Sequence, residues 1–113
     1  MSKAEDAVRL CHMLDAAHKA VELTGTSKRS DLDKDEKLAL ALVRLLEILG
    51  EAAKSVSAEC RQEYPSIPWS QIAGTRDRLI HGYFDVDLDI VWKIVSVDIP
   101  SLVAQLEKAL PSN

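Results

Sequence analysis

Between Leu38 and Leu49 the chain reads Leu-Ala-Leu-Ala-Leu-Val-Arg-Leu-Leu-Glu-Ile-Leu, and only Arg44 and Glu47 interrupt the apolar run. At about 100° per residue these side chains surround almost the whole circumference of a helix. A helix that is apolar on more than one face is buried on more than one side. In a chain of 113 residues, enough for one domain with a modest core, one such side can meet the core and another a twin subunit. The pattern therefore predicts a symmetric homodimer, against the alternative of a central core helix in a monomer.

Other helices follow from apolar spacing. Ala4, Ala7, Val8, Cys11, Leu14, His18 and Val21 recur at three and four, predicting a helix over residues 3 to 24 with this stripe buried. His18 then reads as a core histidine satisfied by a neighbour, Cys11 as a small core residue, and His12 as exposed. A polar connection from Thr24 to Lys34 ends in a capping-box-like pair, Asp33 with Glu36, so the second helix is expected to run from there to about Glu63, with Gly50 a point at which it can bend. Pro65 and Pro68 end that helix and open a third, which stops at Gly82 and carries Ile72, Leu79 and Ile80 as core residues and Trp69 as a packing anchor.

The last segment is rich in β-branched residues, which favour strands. Leu88, Val91, Trp92, Val95, Ile99, Leu102, Leu106 and Leu110 nevertheless step by three or four without a break. It is read as a helix capped by Asp87 and kinked at Pro100, whose missing N–H interrupts the ladder. The expected architecture is all-α: an antiparallel four-helix up-down bundle forming a single domain over residues 1–113.

Composition narrows the function. Acidic residues outnumber basic ones, for a formal net charge of −4. That argues against a sequence-independent coat for nucleic acid, whose binding is dominated by Lys and Arg contacts to phosphate. A local patch can still serve a nuclease, and Arg61, Arg76, Arg78 and Lys93 are its candidates. Cys11 and Cys60 lie far apart with no metal-ligand spacing, so no metal and no cofactor are expected; Cys60, near a helix end, reads as a free thiol. Charged residues interrupt Met1 to Leu10, and no apolar stretch suits a signal peptide or a membrane span. The expected compartment is the cytoplasm.

The densest chemistry is Arg76-Asp77-Arg78-Leu79-Ile80-His81-Gly82-Tyr83. Arg is a planar fork that matches phosphate oxygens, His exchanges protons near neutral pH, and Tyr83 adds a hydroxyl. On a straight helix Arg76 and His81 would point about 140° apart, so a compact pair needs a curled Arg side chain, a distorted last turn or a second subunit. Asp77 and His81, four apart, would share a face, letting the carboxylate hold one imidazole nitrogen. Such groups near a helix end more commonly form salt bridges, caps or core hydrogen bonds.

The string Ile67-Pro68-Trp69-Ser70-Gln71-Ile72-Ala73-Gly74-Thr75-Arg76-Asp77-Arg78-Leu79-Ile80-His81-Gly82-Tyr83-Phe84 closely resembles the HepT-like toxins of the HEPN superfamily, with their signature of Arg, a polar residue, variable positions and His, followed here by Tyr two further on. Leu45 to Lys54 resembles the family's second helix and Asp87 to Val95 the start of its last. Many relatives carry Asn where this chain has Asp77.

The resemblance implies the toxin component of a type VII (HEPN and nucleotidyltransferase) toxin-antitoxin pair. The expected activity is metal-independent endoribonuclease cleavage of RNA through 2′-hydroxyl attack, with Arg76, His81 and Asp77 catalytic and Arg78 on the RNA. It further implies neutralisation by a nucleotidyltransferase antitoxin that adds AMP to Tyr83. The alternative is a non-catalytic dimeric helical module that binds a nucleotide or the nucleotidyltransferase partner.

Overall fold

The apolar run does fold as one helix, and its start is set one turn of logic away from the expected cap. In the computed structural model, which describes residues 3–81 and 85–110, helix α1 spans Lys3–Thr24, α2 Asp31–Lys34 and α3 Glu36–Lys54. Asp35, not Asp33, caps α3 by accepting the Leu38 N–H at 3.1 Å. Asp33 is unavailable because the polar connection coils into α2, anchored by the buried Leu32, where Asp33 accepts from Arg29 at 3.1 Å.

Helix α3 buries Ala39, Leu42, Val43, Leu46, Leu49, Gly50, Ala52 and Ala53. Helix α1 packs along it on one side, and two later short helices, α5 (Trp69–Ala73) and α6 (Thr75–Leu79), pack on it from another. Much of the all-round apolarity is thus consumed within one chain, although Leu40 remains exposed.

The first helix has the expected bounds but the opposite face inward. Asp6, Leu10, Met13, Ala16, Ala17, Ala20 and Thr24 are buried, whereas Val8, Cys11, His18 and Val21 are exposed. Both faces carry apolar residues at helical spacing, and the alanine-rich one wins because small side chains let α3 approach closely. Cys11 is therefore no core residue, and His18 is a surface histidine 3.4 Å from Glu107 Oε1. His12 is exposed, as expected.

The second helix stops at Lys54, well short of Glu63. After a turn, Ser57 caps α4 (Ala58–Glu63) by accepting the Cys60 N–H. Asp6, buried on α1, fixes this break: its carboxylate accepts from the Ser57 hydroxyl at 2.6 Å and the Ser57 N–H at 2.9 Å. These bonds, the hydroxyl first, hold the Asp6 carboxyl below its ordinary value. A carboxyl with a depressed folded pKa contributes stability that is present at neutral pH and disappears as pH falls through that lowered value. Asp6→Asn is accordingly expected to lower the urea midpoint at pH 7, with the gap to the parent closing as pH is taken below about 3.9, the ordinary aspartate value. A gap that stays constant down to acid would refute the assignment.

Arg61 seals the same junction, its Nη2 donating to the carbonyls of Ala53 and Lys54 at the end of α3. Cys60 is a free thiol as expected, but a buried one, and burial raises its pKa.

Gly50 serves a contact instead of a bend: a Cβ there would meet the Ile72 carbonyl oxygen of α5 at 3.1 Å. The expected third helix is divided at Gly74 into α5 and α6. Trp69 is a packing anchor, buried with its indole N–H donating to the Tyr64 carbonyl.

The closing segment is helical despite its β-branched residues. Helix α7 (Leu88–Lys93) leads through a π-helical turn, Ile94–Asp98, into α8 (Ile99–Ala109). In place of a kink at Pro100, the irregularity is this widened turn, with the Ile99 N–H reaching the Ile94 carbonyl. Pro100 has no N–H to give and its ring crowds the preceding turn, and a π turn relieves both just before it. The molecule is mostly helical, with α1, α3 and α8 in mutual or shared contact, but short broken helices stand where a full four-rod bundle was expected.

Candidate active site

Helix α6 is only five residues long, has no side-chain cap, and ends where Ile80 turns extended at φ −112° and ψ 118°. From there Ile80–His81 (β1) pairs antiparallel with Asp85–Val86 (β2), Ile80 opposite Val86 and His81 opposite Asp85. The Asp87 N–H donates to the Leu79 carbonyl at 2.7 Å and closes this small hairpin onto the helix end. A β-branched residue before the histidine and a three-residue, Gly-containing connection are the sequence signals for it. The expected helix continuing to Gly82 does not form.

This hairpin changes the histidine's partner. The shared helical face expected of Asp77 and His81 does not exist, because α6 ends at Leu79 before the register reaches His81. The carboxylate facing the imidazole is Asp87: its Oδ2 lies 3.9 Å from His81 Nε2. The other oxygen, Oδ1, accepts the N–H groups of Asp89 and Ile90 and so caps α7. Asp87 is thus held by its own backbone and by its cap, and offers the remaining oxygen to a ring that is itself exposed. Asp87 was expected only as a cap; nothing local in the sequence marks it as the histidine's neighbour.

Arg76, exposed on α6, is met by Glu47 from α3, with Arg76 Nε 3.7 Å from Glu47 Oε2. Glu47 is the more buried partner. Its placement in an otherwise apolar helix was visible in sequence, but its function as the arginine's counter-ion was not. Arg78 points to the other side of α6, where with Gln71, Thr75, Asp98 and Gln105 it lines a groove of about 320 Å³.

The remaining patch candidates are otherwise engaged, Arg61 in sealing α3 and Lys93 with Asp98 at 3.8 Å. Tyr83, the expected site of modification, lies outside the described residues. Among the described residues no three His, Cys, Asp or Glu side chains gather as a metal site, and no helix is long and apolar enough to cross a membrane.

A family model described as "Ribonuclease HepT-like" matches residues 13–109. The "Probable ribonuclease HepT" of Thermococcus cleftensis is 47% identical over 74 residues, covering 66% of this chain and 67% of its own. The "Putative RNase MJ1380" of Methanocaldococcus jannaschii is 33% identical over 107 residues, covering 95% of this chain and 98% of its own. No solved structure matches the chain.

Proposed function

The chain belongs to the HepT-like ribonuclease family of the HEPN superfamily, and from that premise we propose that it is a metal-independent endoribonuclease and the toxin of a toxin-antitoxin pair. The observation that carries the reading is His81, solvent-reachable and backed by the Asp87 carboxylate, five residues from an exposed Arg76. His81 takes the proton from a ribose 2′-hydroxyl; the 2′-oxygen attacks the adjacent phosphorus, and the bond to the 5′-oxygen breaks as that oxygen takes a proton from water, to which His81 afterwards returns the one it accepted. The products are a 2′,3′-cyclic phosphate and a 5′-hydroxyl.

Arg76 supplies charge to the phosphate oxygens as negative charge grows on them, and Glu47 keeps its guanidinium from wandering before substrate arrives. Asp87, 3.9 Å from Nε2, orients the ring. Asp77 stays a candidate for the same duty, and a comparison of the two variants separates them.

Two copies of the chain would put two Arg76 and two His81 round one cleft, which is why a homodimer belongs to the reading; exposed Leu40 and half-buried Leu45 leave α3 apolar surface for it. Sedimentation at micromolar concentration should give twice the chain mass. Tyr83, two residues beyond His81, is where a partner nucleotidyltransferase would add AMP, setting an anionic phosphate where the RNA phosphate must lie. Incubation with that enzyme and ATP is expected to yield the AMP adduct on the Tyr83 peptide, and an unmodified peptide would count against it.

The direct test is cleavage of a short single-stranded RNA in the presence of EDTA. Fragments ending in 2′,3′-cyclic phosphate support the proposal, and intact RNA under conditions where the protein is folded removes it. The net charge of −4 favours a second reading, a non-catalytic module that binds a nucleotide or the nucleotidyltransferase. Expression alone in a host cell discriminates, since only the nuclease should arrest growth in a way that depends on Arg76 and His81.

A further inference from the structure

An endoribonuclease with a surplus of acid must hold its polyanionic substrate by a local patch, and the patch expected from sequence largely disperses. Arg61 is spent on the carbonyls of α3 and Lys93 on Asp98. Three arginines, Arg9, Arg44 and Arg78, make no hydrogen bond or ion pair among the described residues. Two of these, Arg9 and Arg44, line one groove of about 300 Å³ between α1 and α3, together with His12, Ile48, Glu51 and Ser55.

Two carboxylates beside this groove have partners of their own, although Asp6 also feels the charge of Arg9. Glu51 faces Lys54 at 3.5 Å, and Asp6, one turn before Arg9, is held by Ser57. Arg9 and His12 are three apart on α1 and so lie on one face.

Along α3 the groove stands one helical step from the candidate active site. Arg44 and Glu47 are three apart on α3, about 4.5 Å along its axis, and Glu47 is the residue that meets Arg76. For a strand whose scissile phosphate sits at Arg76 and His81, Arg44 is then the next arginine along α3, and Arg9 and His12 line the groove opposite it on α1. The planar guanidinium forks suit phosphate, and the groove offers few aromatic faces for bases, so contact is with the backbone and not with sequence.

We propose that the α1–α3 groove, through Arg9, His12 and Arg44, binds the phosphodiester backbone of single-stranded RNA flanking the cleavage point. The inference rests on the ribonuclease reading and adds to it where the rest of the substrate lies.

The test is equilibrium binding of a fluorescein-labelled single-stranded RNA whose riboses are 2′-O-methylated, so that it cannot be cleaved, over a series of NaCl concentrations. Each phosphate contact to a single strand contributes about 0.7 to the slope of log K against log salt. Arg9→Gln/Arg44→Gln is expected to make that slope shallower by about 1.4 and to weaken binding about 25-fold at 0.1 M salt. A charge-matched control, Lys19→Gln/Lys108→Gln, is expected to bind as the parent does, which excludes an effect of net charge alone. Arg9→Lys/Arg44→Lys should keep the parent's slope.

A glutamine pair with the parent's slope, in a protein that still cleaves RNA, overturns the groove and leaves the ribonuclease reading standing. A lysine pair that behaves like the glutamine pair overturns it as well, because the effect would then not be phosphate charge. A parent protein that neither binds nor cleaves RNA removes both proposals together.

Discussion

His81→Ala is expected to leave RNA essentially uncut, slowed by roughly two to four orders of magnitude, the range for losing a positioned general acid or base. The side chain is exposed, so the variant should unfold at the parent's temperature and its loss should be one of chemistry. Arg76→Ala should slow the reaction by roughly two to three orders of magnitude, the scale for removing one group that stabilises transition-state charge, again without loss of fold.

The informative comparison is between Asp87→Asn and Asp77→Asn. If orientation of His81 comes from the carboxylate 3.9 Å away, the first variant loses more rate than the second, because an amide no longer carries the charge that holds the ring. Asn at position 87 can still accept the amides that cap α7, which keeps the comparison one of charge. Single-turnover cleavage followed across pH measures this, and a larger loss in Asp77→Asn would return the role to that residue.

Leu79→Ala is expected to act by the opposite route, through stability. Leu79 is fully buried at the end of a five-residue helix that has no side-chain cap. A helix so short does not hold itself by propensity; α6 is kept in place by burying Leu79 and Thr75. Deleting a buried leucine side chain costs about 2–5 kcal/mol, which for a chain of this size corresponds to a fall in Tm of roughly 10–20 °C. Because the Leu79 carbonyl also receives the Asp87 N–H, the hairpin bearing His81 loosens with it. Activity should fall with the unfolded fraction and return in part on cooling, whereas that of His81→Ala should not. A Leu79→Ala protein with the parent's Tm would mean that α6 is held by something other than its buried face.

Only part of the site could be read from residue order. The Arg76, His81 and Tyr83 spacing, the Asp87 cap and the Trp69 anchor are local statements about residues within a turn or two of one another, and the cap and the anchor stand in the structure as expected. The pairing of His81 with Asp87 was hidden because it depends on a two-residue strand folding back, a reversal that a helical reading of Leu79 to His81 passes over. The match of Arg76 with Glu47 joins residues 29 positions apart, and no periodicity within either helix contains it.

By itself the sequence determined that the chain is helical, where α1 begins and ends, that α7 is capped by Asp87, and which family motif it carries, since helical periodicity, capping and motif spacing are written in neighbouring residues. Tertiary structure alone decided that α1 turns its alanines and not Cys11 and His18 inward, that the second helix breaks where Asp6 holds Ser57, and which carboxylate faces the histidine. Each of those outcomes is a choice between local alternatives of similar energy, and the choice is made by whatever surface or charge the fold brings up from a distant part of the chain.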